Sequence, residues 1–126
     1  MNKFKVNLHC NDSLLPSTSD KNVAKHVEWV RDGSGEIELY VNNIIPKVME
    51  DVSKVPKYIW LLESRQVINQ VWDFVVTNYP FLSYRTEGIF TCDKSLIEKN
   101  NCFKYAISNA APWVEDRQIF EKTKLV

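Results

Sequence analysis

The chain reads as an α/β protein, with a Rossmann-like, mainly parallel sheet of about four to five strands and helices on both faces. Three observations lead there. Lys3–Cys10 and Glu36–Val41 alternate apolar with polar residues, the period-2 signature of strands. Lys57–Leu62 is apolar on both faces, as a central strand covered on both sides must be. Segments of helical periodicity fall between the strands, and such alternation favours parallel pairing.

The first strand places Phe4, Val6, Leu8 and Cys10 on one face. Asn11–Asp20 is rich in Ser, Asp, Asn and Pro and reads as a loop. Ser19 or Asp20 can cap a helix with apolar positions Val23, Val27 and Val30, closed by Asp32-Gly33-Ser34-Gly35. The second strand is Glu36–Val41, and a short helical stretch is expected over Lys47–Ser53. Pro56 precedes the third strand.

The strongest helical pattern spans Ser64–Asn78, where Val67, Ile68, Val71, Trp72 and Val75 form one broad apolar stripe, and Pro80 lies just past its end. Gly88–Thr91 reads as a short buried strand, Asp93–Glu98 as a helix capped by Asp93, and Phe103–Ile107 as the last strand. A bend at Ala111–Val114 and a helical turn over Glu115–Lys122 complete the reading. Trp29, Trp60 and Trp72 have core or near-core spacing.

At 126 residues the chain is long enough for one domain with its own core. Basic and acidic residues balance, 16 against 16, so no positive excess is available for nucleic acid. No apolar run is long enough to span a membrane, and the N-terminus lacks the hydrophobic region of a secretory signal. Three widely spaced cysteines without a CxxC pair read as reduced thiols in a cytoplasmic protein, and no metal site is indicated. With three glycines and neither GxGxxG nor GxxxxGK[ST], no phosphate-cradling turn is present.

The sharpest candidate for chemistry is Glu63, followed by Ser64, where the apolar strand ends and the helical pattern starts. In an open α/β sheet that junction lies at the ligand-binding edge. Glu63 there is either a base for a substrate hydroxyl or, with Ser64, a helix-capping residue suited to the dipole. Asp93 follows its strand in the same way, as a cap or as a lining residue. His9, near Cys10 and Asn11 at the end of the first strand, could meet a substrate hydroxyl or be a half-buried polar residue. Trp113, after Pro112, can stack on a sugar ring or anchor a loop.

Beyond these readings, Trp60-Leu61-Leu62-Glu63-Ser64 resembles a Trp…Glu-Ser segment in the N-terminal half of the α1,3-fucosyltransferase family. Ile89-Phe90-Thr91-Cys92-Asp93 resembles a later strand of that family with its acidic turn. Lys122-Thr123-Lys124-Leu125-Val126 is similar to the Lys-x-Lys-Leu-Val that opens the family's second domain, and a Pro-Trp pair precedes it. The likeness is to fucosyltransferase-like enzymes of viral and bacterial kind and covers about residues 56–126.

The resemblance implies two Rossmann-like domains facing a cleft. Residues 1–121 would be the acceptor-binding domain, and 122–126 the start of the linker to a second, donor-binding domain. Glu63 would deprotonate the acceptor hydroxyl in an inverting transfer, with Ser64, Asp93, His9, Asn11 and Trp113 as substrate-binding candidates. The nucleotide-sugar donor, GDP-fucose in that family, would sit on the second domain, so no cofactor is expected in this segment and no transfer from it alone. The expected partners are a glycan acceptor and the donor domain. A domain parted from its partner exposes an apolar edge, so self-association is expected too. The alternative reading is a stand-alone α/β module for binding or oligomerisation, without chemistry.

Overall fold

The computed structural model describes residues 2–11 and 26–106. They contain six strands: β1 (Phe4–His9), β2 (Val27–Val30), β3 (Ile37–Val41), β4 (Lys57–Leu61), β5 (Gly88–Thr91) and β6 (Phe103–Tyr105). The helical elements are a 3-10 helix (Asn42–Met49), α1 (Asn69–Arg85) and α2 (Lys94–Lys99). All strand pairs are parallel and the order is β2-β1-β3-β4-β5-β6. The α/β class and mainly parallel, Rossmann-like sheet read from the sequence hold, with more strands than the four to five expected.

The additional strand is β2, where the spacing of Val27 and Val30 had suggested a helix. Val27-Glu28-Trp29-Val30 is rich in residues that suit a pleated surface. Pairing along β1, from Phe4 opposite Val27 to Asn7 opposite Val30, makes it the edge strand. The expected loop and helix start at residues 12–25 lie outside the described residues, as do the bend and helical turn beyond 106.

The connection from β2 to β3 crosses β1 closely. Gly33 has φ 83°, a left-handed conformation that glycine adopts without steric cost. Gly35 lies so near β1 that a Cβ there would overlap the backbone of Asn7. The Gly33 N–H donates to Asn7 Oδ1 at 3.1 Å, and the Glu36 N–H to the Lys5 carbonyl at 2.8 Å.

α1 departs from the sequence expectation at both ends. Ser64–Ile68 forms a turn in which the Val67 and Ile68 N–H groups both donate to the Ser64 carbonyl, and the helix begins at Asn69. It then runs through Pro80 to Arg85. A proline inside a helix costs about 3 kcal/mol. Opposing that cost, Leu82 is fully buried on the stripe of Val71 and Val75, and Arg85 Nη2 donates to the Asp51 carbonyl at 2.8 Å. A fully buried leucine contributes about 1.5–3 kcal/mol, so tertiary packing carries the helix past the residue expected to end it. The short helix read over Lys47–Ser53 begins earlier, as the 3-10 helix Asn42–Met49.

The described helical elements pack on one sheet face, and among the described residues no helix covers the other, where the sequence leads one to expect helices too. Ile45 and Val48 from the 3-10 helix, Val71, Val75 and Leu82 from α1, and Leu96 from α2 close over Tyr40, Ile59, Leu61, Ile89 and Phe103. The opposite face gathers Val6, Leu8, Leu39 and Val41 with partly buried Trp29, Tyr58 and Trp60. A groove of about 460 Å³ on that face is lined almost wholly by apolar side chains, among them Phe4, Trp29, Tyr58, Trp60 and Phe90. Trp60 Nε1 is enclosed there with no hydrogen-bond partner among the described residues. No described helix is long and apolar enough to cross a membrane.

Candidate functional site

In a sheet of this order the direction of winding reverses between β1 and β3, and ligands bind outside the carboxyl ends of the strands at that reversal. Two features near the first strands carry polar side chains, one at that carboxyl-end edge and one on the sheet face. One is the strand-end edge formed by Asn11, Asn42, Glu63 and Ser64. The other is a polar cleft on the helical face of β1 and β3.

Asn42 organises the edge. It directly follows β3 and has φ 51°, the only positive φ among the described non-glycine residues. Asparagine tolerates this left-handed region better than most residues. Its Oδ1 accepts the Leu62 N–H at 2.9 Å and the Glu63 N–H at 3.2 Å. The end of β4 is thus tied to the end of β3, and Glu63 leaves the sheet on a fixed backbone. Its side chain is exposed, and among the described residues no side chain bonds its carboxylate. Sequence reading singled out Glu63 but missed Asn42, whose visible signal was only the pair Asn42-Asn43 directly after an apolar strand.

Ser64 and Asp93 have local structural duties. Ser64 contributes its carbonyl to the turn before α1 and is exposed. Asp93 is the N-cap of α2: its Oδ1 accepts the Ser95 N–H at 2.8 Å and the Ser95 hydroxyl at 2.6 Å, and its Oδ2 accepts Trp72 Nε1–H at 3.2 Å. Burial pushes its carboxyl up, but these donors outweigh burial and hold it below the ordinary value. Both Asp93 oxygens are occupied, so of its two readings the cap is the one the geometry supports. Asn11 is exposed just past β1. Trp113 lies outside the described residues.

His9 belongs to the cleft. It ends β1 and stacks on Tyr40, ring centroids 4.2 Å apart and planes within 7°. Its Nε2 lies 2.5 Å from Glu38 Oε2, which also accepts from Asn7 Nδ2 at 2.6 Å. Asn7 Nδ2 also lies 3.3 Å from His9 Nε2, so Asn7, His9 and Glu38 form one cluster in which the roles of the ring nitrogens depend on the tautomer. Glu38 is 7 % exposed and Asn7 4 %, although both occupy the polar positions of alternating strands. The sequence pattern would send them to solvent. Parallel register instead sets Asn7 opposite Glu38 and His9 opposite Tyr40, and the Gly33–Gly35 connection covers Asn7.

The far wall of the cleft is braced by Asp51. Tyr40 donates its hydroxyl to Asp51 Oδ2 at 2.6 Å, and the Ser53 N–H donates to Oδ1 at 2.8 Å. Burial raises the Asp51 carboxyl, but these bonds and the Lys57 ammonium 3.8 Å away bring it below its ordinary value. Burial, then the Asp51 partner, drive the Tyr40 phenol well above its usual range. Lys57, itself buried, donates to the Ser53 and Val55 carbonyls at 2.5 and 3.0 Å. The open cleft has a volume of about 400 Å³, within the span of small-molecule sites. Among the described residues, no group of His, Cys, Asp and Glu is arranged to hold a metal ion.

No protein family, curated protein or solved structure matches the chain.

Proposed function

We propose that this chain is the acceptor-binding half of an inverting, nucleotide-sugar-dependent glycosyltransferase of fucosyltransferase-like kind, with Glu63 as the base. The observation that carries the reading is the placement of Glu63. An exposed carboxylate follows a central parallel strand, beside the winding reversal, on a backbone fixed by Asn42. Fixed placement is what a general base needs to meet a hydroxyl within hydrogen-bond reach.

In this reading the acceptor hydroxyl gives its proton to the Glu63 carboxylate as its oxygen attacks the anomeric carbon of the donor. The bond from that carbon to the nucleotide phosphate breaks, and the nucleotide leaves with the electron pair. Donor binding falls to a second domain following residues 122–126, so this segment needs no phosphate-cradling turn of its own.

Amide spectra of the 126-residue chain test the proposal. Glycan acceptors are expected to shift Leu62, Glu63 and Ser64, whereas a nucleotide-sugar leaves them in place. In a polypeptide carrying both halves, Glu63→Gln should lower kcat by about 10²–10⁴-fold. Acceptor binding that bypasses Leu62–Ser64, or full turnover by Glu63→Gln, refutes it.

A non-catalytic binding or self-association module is the second reading, favoured by the apolar groove on the other sheet face. Sedimentation showing a dimer that Trp29→Glu dissolves, with no glycan effect at Glu63, would support it instead.

A further inference from the structure

We propose that the cleft between β1, β3 and the 3-10 helix is a separate binding site for a neutral small molecule carrying adjacent hydroxyls. The proposal does not rest on the Glu63 reading, because the cleft residues stand on β1 and β3 and Glu63 follows β4.

The argument starts from which polar groups in the cleft are already committed. Asp51 is taken up by Tyr40, Ser53 and Lys57, and Lys57 by the Ser53 and Val55 carbonyls and Asp51. Asn7 Nδ2 donates to Glu38 and lies 3.3 Å from His9 Nε2, and its Oδ1 accepts the Gly33 N–H. Glu38 Oε2 receives both Asn7 and His9. What is left over is unusual. Glu38 has a side chain only 10 % exposed, yet its Oε1 has no partner among the described residues. Glu38 lines the cleft, so this oxygen is available there to a donor. His9 adds a second group: with Nε2 engaged by Glu38, the ring's other nitrogen, Nδ1, is the one left for a ligand.

Glu38 Oε1 and His9 Nδ1 therefore belong to one dyad, and a ligand meeting both must donate to the first and pair with the second, which a hydroxyl does as donor or as acceptor. The surrounding charge narrows its chemistry. Glu38, Glu50 and Asp51 in the lining disfavour an anion, and Lys47 in the same lining disfavours an ammonium ion. Adjacent hydroxyls satisfy both conditions. One donates to Glu38 Oε1 and its neighbour pairs with His9 Nδ1, while an oxygen left free accepts from Lys47 Nζ or the Ser53 hydroxyl. The volume of about 400 Å³ admits a molecule of monosaccharide or cyclitol size.

The test is a titration of the labelled 126-residue chain, read at the His9 ring nitrogens and the Glu38 and Tyr40 amides. The probes are methyl β-galactopyranoside, methyl α-mannopyranoside and myo-inositol, with ethylammonium and inorganic phosphate as charged controls. At least one polyol should give saturable shifts with a Kd of about 1 mM. Glu38→Gln should weaken that binding about tenfold or more, since one of the two acceptor oxygens becomes a donor and the charge is lost. His9→Phe keeps a ring for stacking on Tyr40 and should weaken it as well, and Lys47→Ala, at an exposed position, should do so to a lesser degree. Glu98→Ala on α2 should leave it unchanged.

If Glu38→Gln does not fold, the wild-type titration with His9→Phe and Lys47→Ala decides. The proposal is overturned if no polyol moves the His9 ring, if ethylammonium or phosphate saturates the cleft in preference, or if polyol shifts are confined to Leu62–Ser64. That last outcome would leave the Glu63 reading intact.

Discussion

Two halves of one sheet face have opposite characters. Over β4 and β5 the face is apolar and sealed: Ile59, Leu61 and Ile89 lie under Val75, Leu82 and Leu96, all at most 2 % exposed. Over β1 and β3 the same face carries Asn7, His9, Glu38 and Tyr40, and a cleft remains. Both halves are regular parallel sheet, so backbone hydrogen bonding does not distinguish them. The distinction lies in what covers them. α1 and α2 lie over the first, while a short glycine-containing crossover and the rim of the 3-10 helix border the second. Burial alone therefore does not mark a core. Buried groups whose partners lie inside the chain, such as Lys57, brace the fold, whereas Glu38 lines an open cleft with one carboxylate oxygen that has no partner among the described residues.

The largest effect should come from breaking the sealed half. Leu82→Ala empties a site under α1 and should cost about 2–5 kcal/mol in urea unfolding. It would also remove the packing that opposes Pro80, so α1 should fray beyond Asn78 in amide exchange. A loss below about 1 kcal/mol would show that the helix past Pro80 is held by something other than Leu82.

Gly35→Ala probes the border of the open half. The added methyl meets the Asn7 backbone, and overpacking of this kind costs about 1–3 kcal/mol. The dyad should respond with it, since Asn7 donates to Glu38. Displaced His9 ring resonances at unchanged α1 exchange rates would localise the damage to β1 and β3.

Asn42→Gly separates the side-chain bridge from the backbone conformation, because glycine keeps φ 51° without strain. Losing the bridge should cost about 1 kcal/mol, seen as roughly fivefold faster exchange of the Leu62 and Glu63 amides. Unchanged exchange would mean that Asn42 does not hold Glu63 in place.

Acid distinguishes the halves by charge. The Asp51 and Asp93 carboxyls are held below their ordinary value of 3.8 in the folded chain. A depressed folded pKa stabilises above the unfolded value, and that contribution is lost as pH falls through the folded one. Tm should accordingly be steady at neutral pH and decline as pH falls below 3.8. Asp51→Asn should flatten the decline and loosen the cleft wall, while leaving α2 capped by Asp93.

The smallest effect concerns the thiols. Burial raises the Cys102 thiol, whereas Cys92 is exposed just before Asp93. A thiol reagent at neutral pH should modify Cys92 first and Cys102 slowly. Equal rates would show that the covering over β6 opens readily.

Much of this was legible along the chain, and the pattern of success is physical. Gly88–Thr91 and the Asp93 cap of α2 agree with the sequence reading because strand propensity and capping act within a few residues. Glu63 at a strand end was legible for the same reason. β2 was not, since Val27 and Val30 fit a helical spacing until β1 supplies a pairing edge. Nor was the extent of α1, where Pro80 is a stop signal that only the burial of Leu82 overrides.

By itself, then, the sequence determined a mainly parallel α/β sheet, the strand ending at Glu63 and the helix capped by Asp93, because periodicity and caps are local. Only the tertiary structure decided that His9 has Glu38 for a partner and that Asn42 holds the backbone of Glu63. Glu38 is 29 positions from His9, and Asn42 is 21 from Glu63. Contacts that distant exist only once β1, β3 and β4 have settled into one parallel register.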